Sequence, residues 1–106
     1  MSLLGNIHGY IGYMRHVRGR FDSALPHYEK GYKKGMGYRF QLGYGLGLLR
    51  TGDFEGSKEV FSRILASSAP ESICAHAKFN QGLVYWKLGL IDEAHDTMEE
   101  SFQKSP

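Results

Sequence analysis

Three stretches decide the fold when written under one another: GYMRHVRGRFDSALPHY (Gly12–Tyr28), GLGLLRTGDFEGSKEVF (Gly45–Phe61) and GLVYWKLGLIDEAHDTM (Gly82–Met98). Each opens on a glycine, and a second glycine follows seven residues later, at Gly19, Gly52 and Gly89. Two residues beyond it stands a large apolar residue (Phe21, Phe54, Ile91), then a small one (Ala24, Ser57, Ala94), then Tyr28, Phe61 or Met98. Successive turn glycines lie 33 and then 37 residues apart. A period of that length is the mark of a stacked-repeat architecture.

The pattern reads as a helix–turn–helix. The predicted helices run over 3–17, 22–34, 38–51, 54–67, 72–88 and 91–104, with the second glycine of each copy in the turn. A glycine there accepts the positive φ that helix C-termini favour. Small residues on both helices let the backbones approach, and the large residues after the turn fill the remaining gap. Asp22, Asp53 and Asp92 stand at the starts of the second helices, where a carboxylate suits the positive end of the dipole. Pro26 falls in the early turns of a second helix. The longer second spacing implies an extra turn or a looser link around SSAPES, Ser67–Ser72. Gly43 and Gly47 each cost a helix roughly 1 kcal/mol relative to alanine. Close helix packing accounts for Gly47, and nothing in the sequence accounts for Gly43.

On these residues the chain resembles the tetratricopeptide repeat family, in the style of its bacterial-type members. The third copy matches most fully, with Gly82, Tyr85, Gly89, Ala94 and a closing Pro106. The second has Gly45, Gly52, Asp53, Phe54 and Phe61, with Ser57 for alanine and Pro70 one residue late. The first carries Arg15 in place of a tyrosine and Met36 in place of the closing proline. The resemblance implies an all-α fold: one domain over 1–106, a right-handed superhelical array (an α-solenoid) of three helix-turn-helix hairpins, six helices in all. The repeats fall at about 5–37, 38–71 and 75–106.

Composition agrees with a globular chain: 42% hydrophobic and 23% charged residues exclude disorder. The net charge of +2 is too small to point to nucleic acid or a membrane surface. Its distribution is uneven. Residues 1–38 balance at +4, residues 39–74 at zero and residues 75–106 at −2. No stretch approaches the roughly 18 apolar residues of a membrane span, and MSLLGNIHGY does not read as a signal peptide. With Cys74 as the single cysteine, no intrachain disulfide can form. A reducing, cytoplasmic setting is the expectation.

The sequence holds no motif for catalysis or a cofactor. GYGLG (Gly43–Gly47) lacks the third glycine of a dinucleotide loop and follows no strand. The five histidines form no i,i+4 pair, which argues against a metal site on one helix face. The expectation is no enzyme, no cofactor and no metal.

The resemblance places ligands on the concave face, lined by the first helices. The matching positions give a candidate peptide groove of Tyr13 and His16; Arg39, Leu42, Leu46, Leu49 and Arg50; and His76, Phe79, Leu83, Trp86 and Lys87. Many of these serve equally well as packing residues, the leucines above all. Tyr, Trp and Arg are the types enriched at binding hot spots. The set describes an apolar groove with cationic edges, suited to an extended or helical peptide bearing a carboxylate. Family members that grip chaperone tails use Lys, Asn and Arg at positions held here by Gly9, Tyr13, Gly43, His76 and Asn80, so that clamp is missing.

A protein- or peptide-binding scaffold is therefore the leading function. A self-associating structural array is the second: the third hairpin leaves Val84, Met98 and Phe102 to be covered by a second copy or by a further repeat of a longer chain. An RNA-reading helical repeat is the third, disfavoured because only the first copy is basic. The partners expected are a protein or peptide and a second copy of the chain, with no nucleic acid and no membrane segment.

Overall fold

The computed structural model describes residues 2–104, and side chains from Ser2 to Gln103. Pro106, placed above as a closing proline, lies outside them. Six helices follow in order: α1 (Leu3–Val17), α2 (Phe21–Lys34), α3 (Tyr38–Thr51), α4 (Phe54–Leu65), α5 (Glu71–Lys87) and α6 (Ile91–Lys104). They pair as hairpins α1·α2, α3·α4 and α5·α6, and each hairpin docks on the next through α2·α3, α1·α3, α4·α5 and α3·α5. No strand occurs among the described residues.

The three turns are built alike. Gly19, Gly52 and Gly89 adopt φ of 77°, 93° and 82°, a region costly for any residue with a Cβ. In each, the N–H one residue past the glycine donates back across the helix end: Arg20 to the Arg15 carbonyl (2.9 Å), Asp53 to Leu48 (2.8 Å) and Leu90 to Tyr85 (2.9 Å). This closes carbonyls that the helix terminus would otherwise leave unpaired. Asp53 also caps α4, its carboxylate accepting from the Gly56 N–H at 2.9 Å.

Within a hairpin the opening glycine is a socket. A methyl group at Gly12 would sit 2.7 Å from the Tyr28 ring, and one at Gly45 or Gly82 would overlap Phe61 or Met98. The small residue on the second helix is sealed at the same crossing: Ala24, Ser57 and Ala94 are all buried. Ser57 stands in for alanine without an unmet polar group, because its hydroxyl donates to the Gly45 carbonyl at 2.7 Å.

Helix ends depart from expectation by one or two residues, most at the end of α4; α2 begins one residue earlier, and α5 begins and ends one residue earlier. The predicted fourth helix runs two residues too far. The Ser67 hydroxyl donates to the Ile64 carbonyl (2.6 Å) and accepts from the Ala69 N–H (3.3 Å), a local alternative that stops α4 at Leu65. The extra length of the second spacing goes into both the link and the helix. Residues 66–70 separate α4 from α5, against 35–37 between α2 and α3, and α5 has 17 residues where α3 has 14. Pro26 lies on the exposed side of α2, which continues through it.

The main core joins the second and third hairpins through Leu48, Val60, Phe61, Ile64, Ile73, Ala77 and Val84, and partly buried Leu25 and Tyr32 of the first pack against it. A smaller one gathers Ala24, Tyr28 and Met36. Val84, expected on the uncovered end, is instead fully buried, because its side of α5 faces back onto the second hairpin. Met98 is half-buried against Gly82, and Phe102 is the exposed member of that trio.

Candidate functional site

The first helices α1, α3 and α5 lie side by side, and clefts open between them. One of about 730 Å³ lies between Ile7, Tyr10 and Ile11 of α1, the start of α3 (Tyr38, Arg39, Phe40), Pro70, and Ser72 and Ile73 of α5. It runs into a second of about 510 Å³, where Tyr13, Leu42 and His76 join Tyr10, Arg39, Phe40 and Ile73. Phe40 is seated on Gly9, where any Cβ would overlap its ring, and its ring lies 6.4 Å from that of Tyr13. A third cleft of about 600 Å³ lies further along, between Leu46 and Arg50 of α3, His76, Phe79 and Asn80 of α5, and Phe102 of α6.

Formal charge on this surface has one sign. Among the described residues, the linings of the three clefts contain Arg39 and Arg50 but no Asp or Glu, and His76 lines two of them. Arg50 is held by the ring of Phe21, its guanidinium carbon 5.3 Å from the centroid. Exposed aromatic and aliphatic side chains surround the cations, Tyr10 and Tyr13 foremost.

Several of the sequence-derived candidates are brought together. Tyr13, Arg39, Leu42 and His76 share the second cleft, and Leu46, Arg50, His76 and Phe79 the third. Others are placed elsewhere. Leu49 packs against the main core. His16 turns into its own hairpin, edge-on to Phe21, with its Nδ1 3.3 Å from the Tyr28 hydroxyl. Burial, with Arg50 nearby, holds the His16 imidazole below its usual pKa, although a backbone bond to Gly43 opposes this. His16 is thus a neutral packing residue whose ring nitrogen can accept from Tyr28. Leu83 is half-buried, and exposed Trp86 stacks with its neighbour Lys87, whose Nζ lies 5.3 Å from the indole centroid. Ten residues along α5 put that pair about 15 Å from His76.

Residues that motif alignment did not select also shape the clefts: Ile7, Tyr10 and Ile11 of α1, Phe40, and Ile73. The usable signal is α1 itself, apolar nearly all round, when a one-sided hairpin helix needs only one such face. Gly43 acquires a reason as well. A Cβ there would collide with the Tyr28 hydroxyl, so the residue must be glycine for Tyr28 to pass under α3.

Comparison of sequences gives the family. The sequence model of the tetratricopeptide repeat matches residues 17–72 and, overlapping them, 42–106. The chain belongs to the tetratricopeptide repeat family. No curated protein matches the sequence. Tetratricopeptide repeats generally serve protein–protein interaction and are not catalytic modules. Among the described residues no three His, Cys, Asp or Glu side chains gather as a metal site would require. No helix among the described residues is long and apolar enough to cross a membrane.

Proposed function

We propose that this chain is a protein-interaction module that takes a peptide segment on its concave face, centred on the clefts around Arg39. The observation that carries the reading is the pairing of Arg39 and His76 over an apolar lining that includes Phe40 and Ile73 and no carboxylate. A cation in an apolar cleft favours a ligand that brings its own anion beside a large hydrophobic side chain. Arg suits a carboxylate because its planar fork can donate two parallel hydrogen bonds. The preferred ligand is therefore an extended or helical segment with an apolar anchor next to an Asp, a Glu or a free C-terminus.

The test is selection from a displayed peptide library on the immobilised chain, followed by titration of the enriched peptides. Enrichment of an acidic group beside a large apolar residue is expected, with binding weakened at least tenfold by Arg39→Glu. Peptides that bind Arg39→Glu and the parent equally would move the site away from these clefts. Trp86 fluorescence reports on the alternative end of the groove: a response there, lost in the double variant Arg50→Glu, Lys87→Glu, would shift the site toward the α3 and α5 C-termini.

A further inference from the structure

We propose that copies of this chain dock head to tail, the outer face of α1 on one copy seating against α5·α6 of the next in the register that α3 takes on α1·α2. The argument starts from the internal junction. There Tyr44 of α3 packs on Tyr32 of α2 with ring centroids 5.3 Å apart, Phe40 seats on Gly9, and Asp22 and Ser23 share a cleft with Arg50 and Thr51. Aligning the turn glycines Gly19, Gly52 and Gly89 equates Tyr44 with Ile11 and Phe40 with Ile7 on α1, and Tyr32 with Phe102 on α6. The outer faces of α1 and α6 thus carry apolar counterparts of an internal junction face, with the shorter Ile7 set to meet the Phe79 ring where Phe40 meets Gly9, and both are exposed: Ile7 by 47% and Phe102 by 65%.

Charge selects a second copy as the occupant. The same alignment equates Asp22 and Ser23 with Asp92 and Glu93, and Thr51 with Arg18, so the docked register brings Arg18 to that acidic pair. Glu29, which after burial is the next cause raising the Tyr44 phenol pKa, corresponds to Glu99, which falls beside Ile11 and one turn from Arg15. The basic first hairpin and the acidic third are therefore complementary at these positions as well as in net charge. A symmetric α1-to-α1 contact would instead oppose Arg15 and Arg18 to their own copies. Docking of this kind extends the concave face, and Ile7 and Ile11 also line the cleft around Arg39; Arg39→Glu tells the two readings apart, since it should weaken the peptide and leave the docking unchanged.

Sedimentation equilibrium over a concentration range, at low and high salt, tests it. The parent is expected to associate into open-ended oligomers, as a heterologous contact that does not close must. Affinity should fall several-fold at high salt, where exposed charges are screened. Ile11→Glu and Phe102→Glu, each checked for helicity, should be monomeric alone and form a one-to-one dimer when mixed, because each retains one intact face. If Ile11→Glu does not fold, Arg18→Glu, at an exposed site, replaces it. A parent that stays monomeric at hundreds of micromolar overturns the proposal. So do association that survives Phe102→Glu, a mixture that stays monomeric, and an affinity indifferent to salt.

Discussion

The two junctions between hairpins share a topology and are made of opposite materials. The first is aromatic: Tyr28, Tyr32 and Tyr44 stack with ring centroids 6.2 and 5.3 Å apart, and Phe40 lies alongside. Glycines face these rings. A Cβ at Gly9 would overlap Phe40, one at Gly43 would strike Tyr28, and one at Gly31 would approach the Met36 sulfur. The second junction is aliphatic, with Val60, Ile64, Ile73, Ala77 and Val84 buried together and a hydrogen bond of 2.9 Å from the Gln81 amide to the Ser62 hydroxyl. Interiors are packed to crystal-like density, so each large side chain needs a small one opposite. The repeat motif fixes the socket inside each hairpin, and the junction between hairpins is free to solve the same volume problem in another way.

The sharpest way to break this comparison is to empty the two sockets. Phe61→Ala and Tyr28→Ala should each cost about 3–5 kcal/mol in urea unfolding followed by circular dichroism. The larger loss is expected at Phe61, which stands in the cluster that ties α3, α4 and α5 together. Equal losses would show the small aromatic core to be as cooperative as the large aliphatic one.

Filling space is the next test. Gly43→Ala should destabilise by about 1–3 kcal/mol despite better helix propensity, because its Cβ meets Tyr28. The equivalent Asn80→Ala in the second junction should stay within about 0.5 kcal/mol of the parent. The Gly43→Ala penalty should shrink in a Tyr28→Phe background, a coupling that a double-mutant cycle reads directly. Ala94→Leu, at a buried helix crossing, should likewise cost about 1–3 kcal/mol, and a variant as stable as the parent would contradict the hairpin packing.

A smaller effect distinguishes the sockets from one another. Ser57→Ala restores the small apolar residue of the other two hairpins and removes the bond to the Gly45 carbonyl. The expected loss is about 0.5–1.5 kcal/mol, the net worth of one intramolecular hydrogen bond.

Acidity should weaken the first hairpin selectively. Burial and Arg50 keep the folded-state pKa of His16 below its unfolded value, and burial with Arg15, His8 and Lys30 does the same for His27. The unfolded chain then binds more protons as pH falls through about 6.5, so the stability present above that pH declines below it. His16→Leu, which copies Leu49 of the second hairpin, should flatten the slope between about pH 7 and pH 5 in thermal unfolding. An unchanged slope would assign it to His27 or to the carboxylates.

What the sequence determined by itself is what repeats. The turn glycines announce a local backbone state, and the glycine, small residue and large residue of each copy meet inside one hairpin, close together in the chain. Such contacts recur with the period and can be read by laying the copies side by side. The tertiary structure decided what does not recur. Gly43 is intelligible only beside Tyr28, and Val84 proved buried because α5 leans on α4. Of the candidate groove, Tyr13, Arg39, Leu42 and His76 met in one cleft, while His16 turned inward and Trp86 stood apart with Lys87. Ile7, Tyr10, Phe40 and Ile73 entered the clefts from positions the repeat pattern does not mark. Their surroundings depend on how far one hairpin is rotated and shifted against the next. That is set by the summed volumes of side chains on two different repeats, which no single copy of the motif contains.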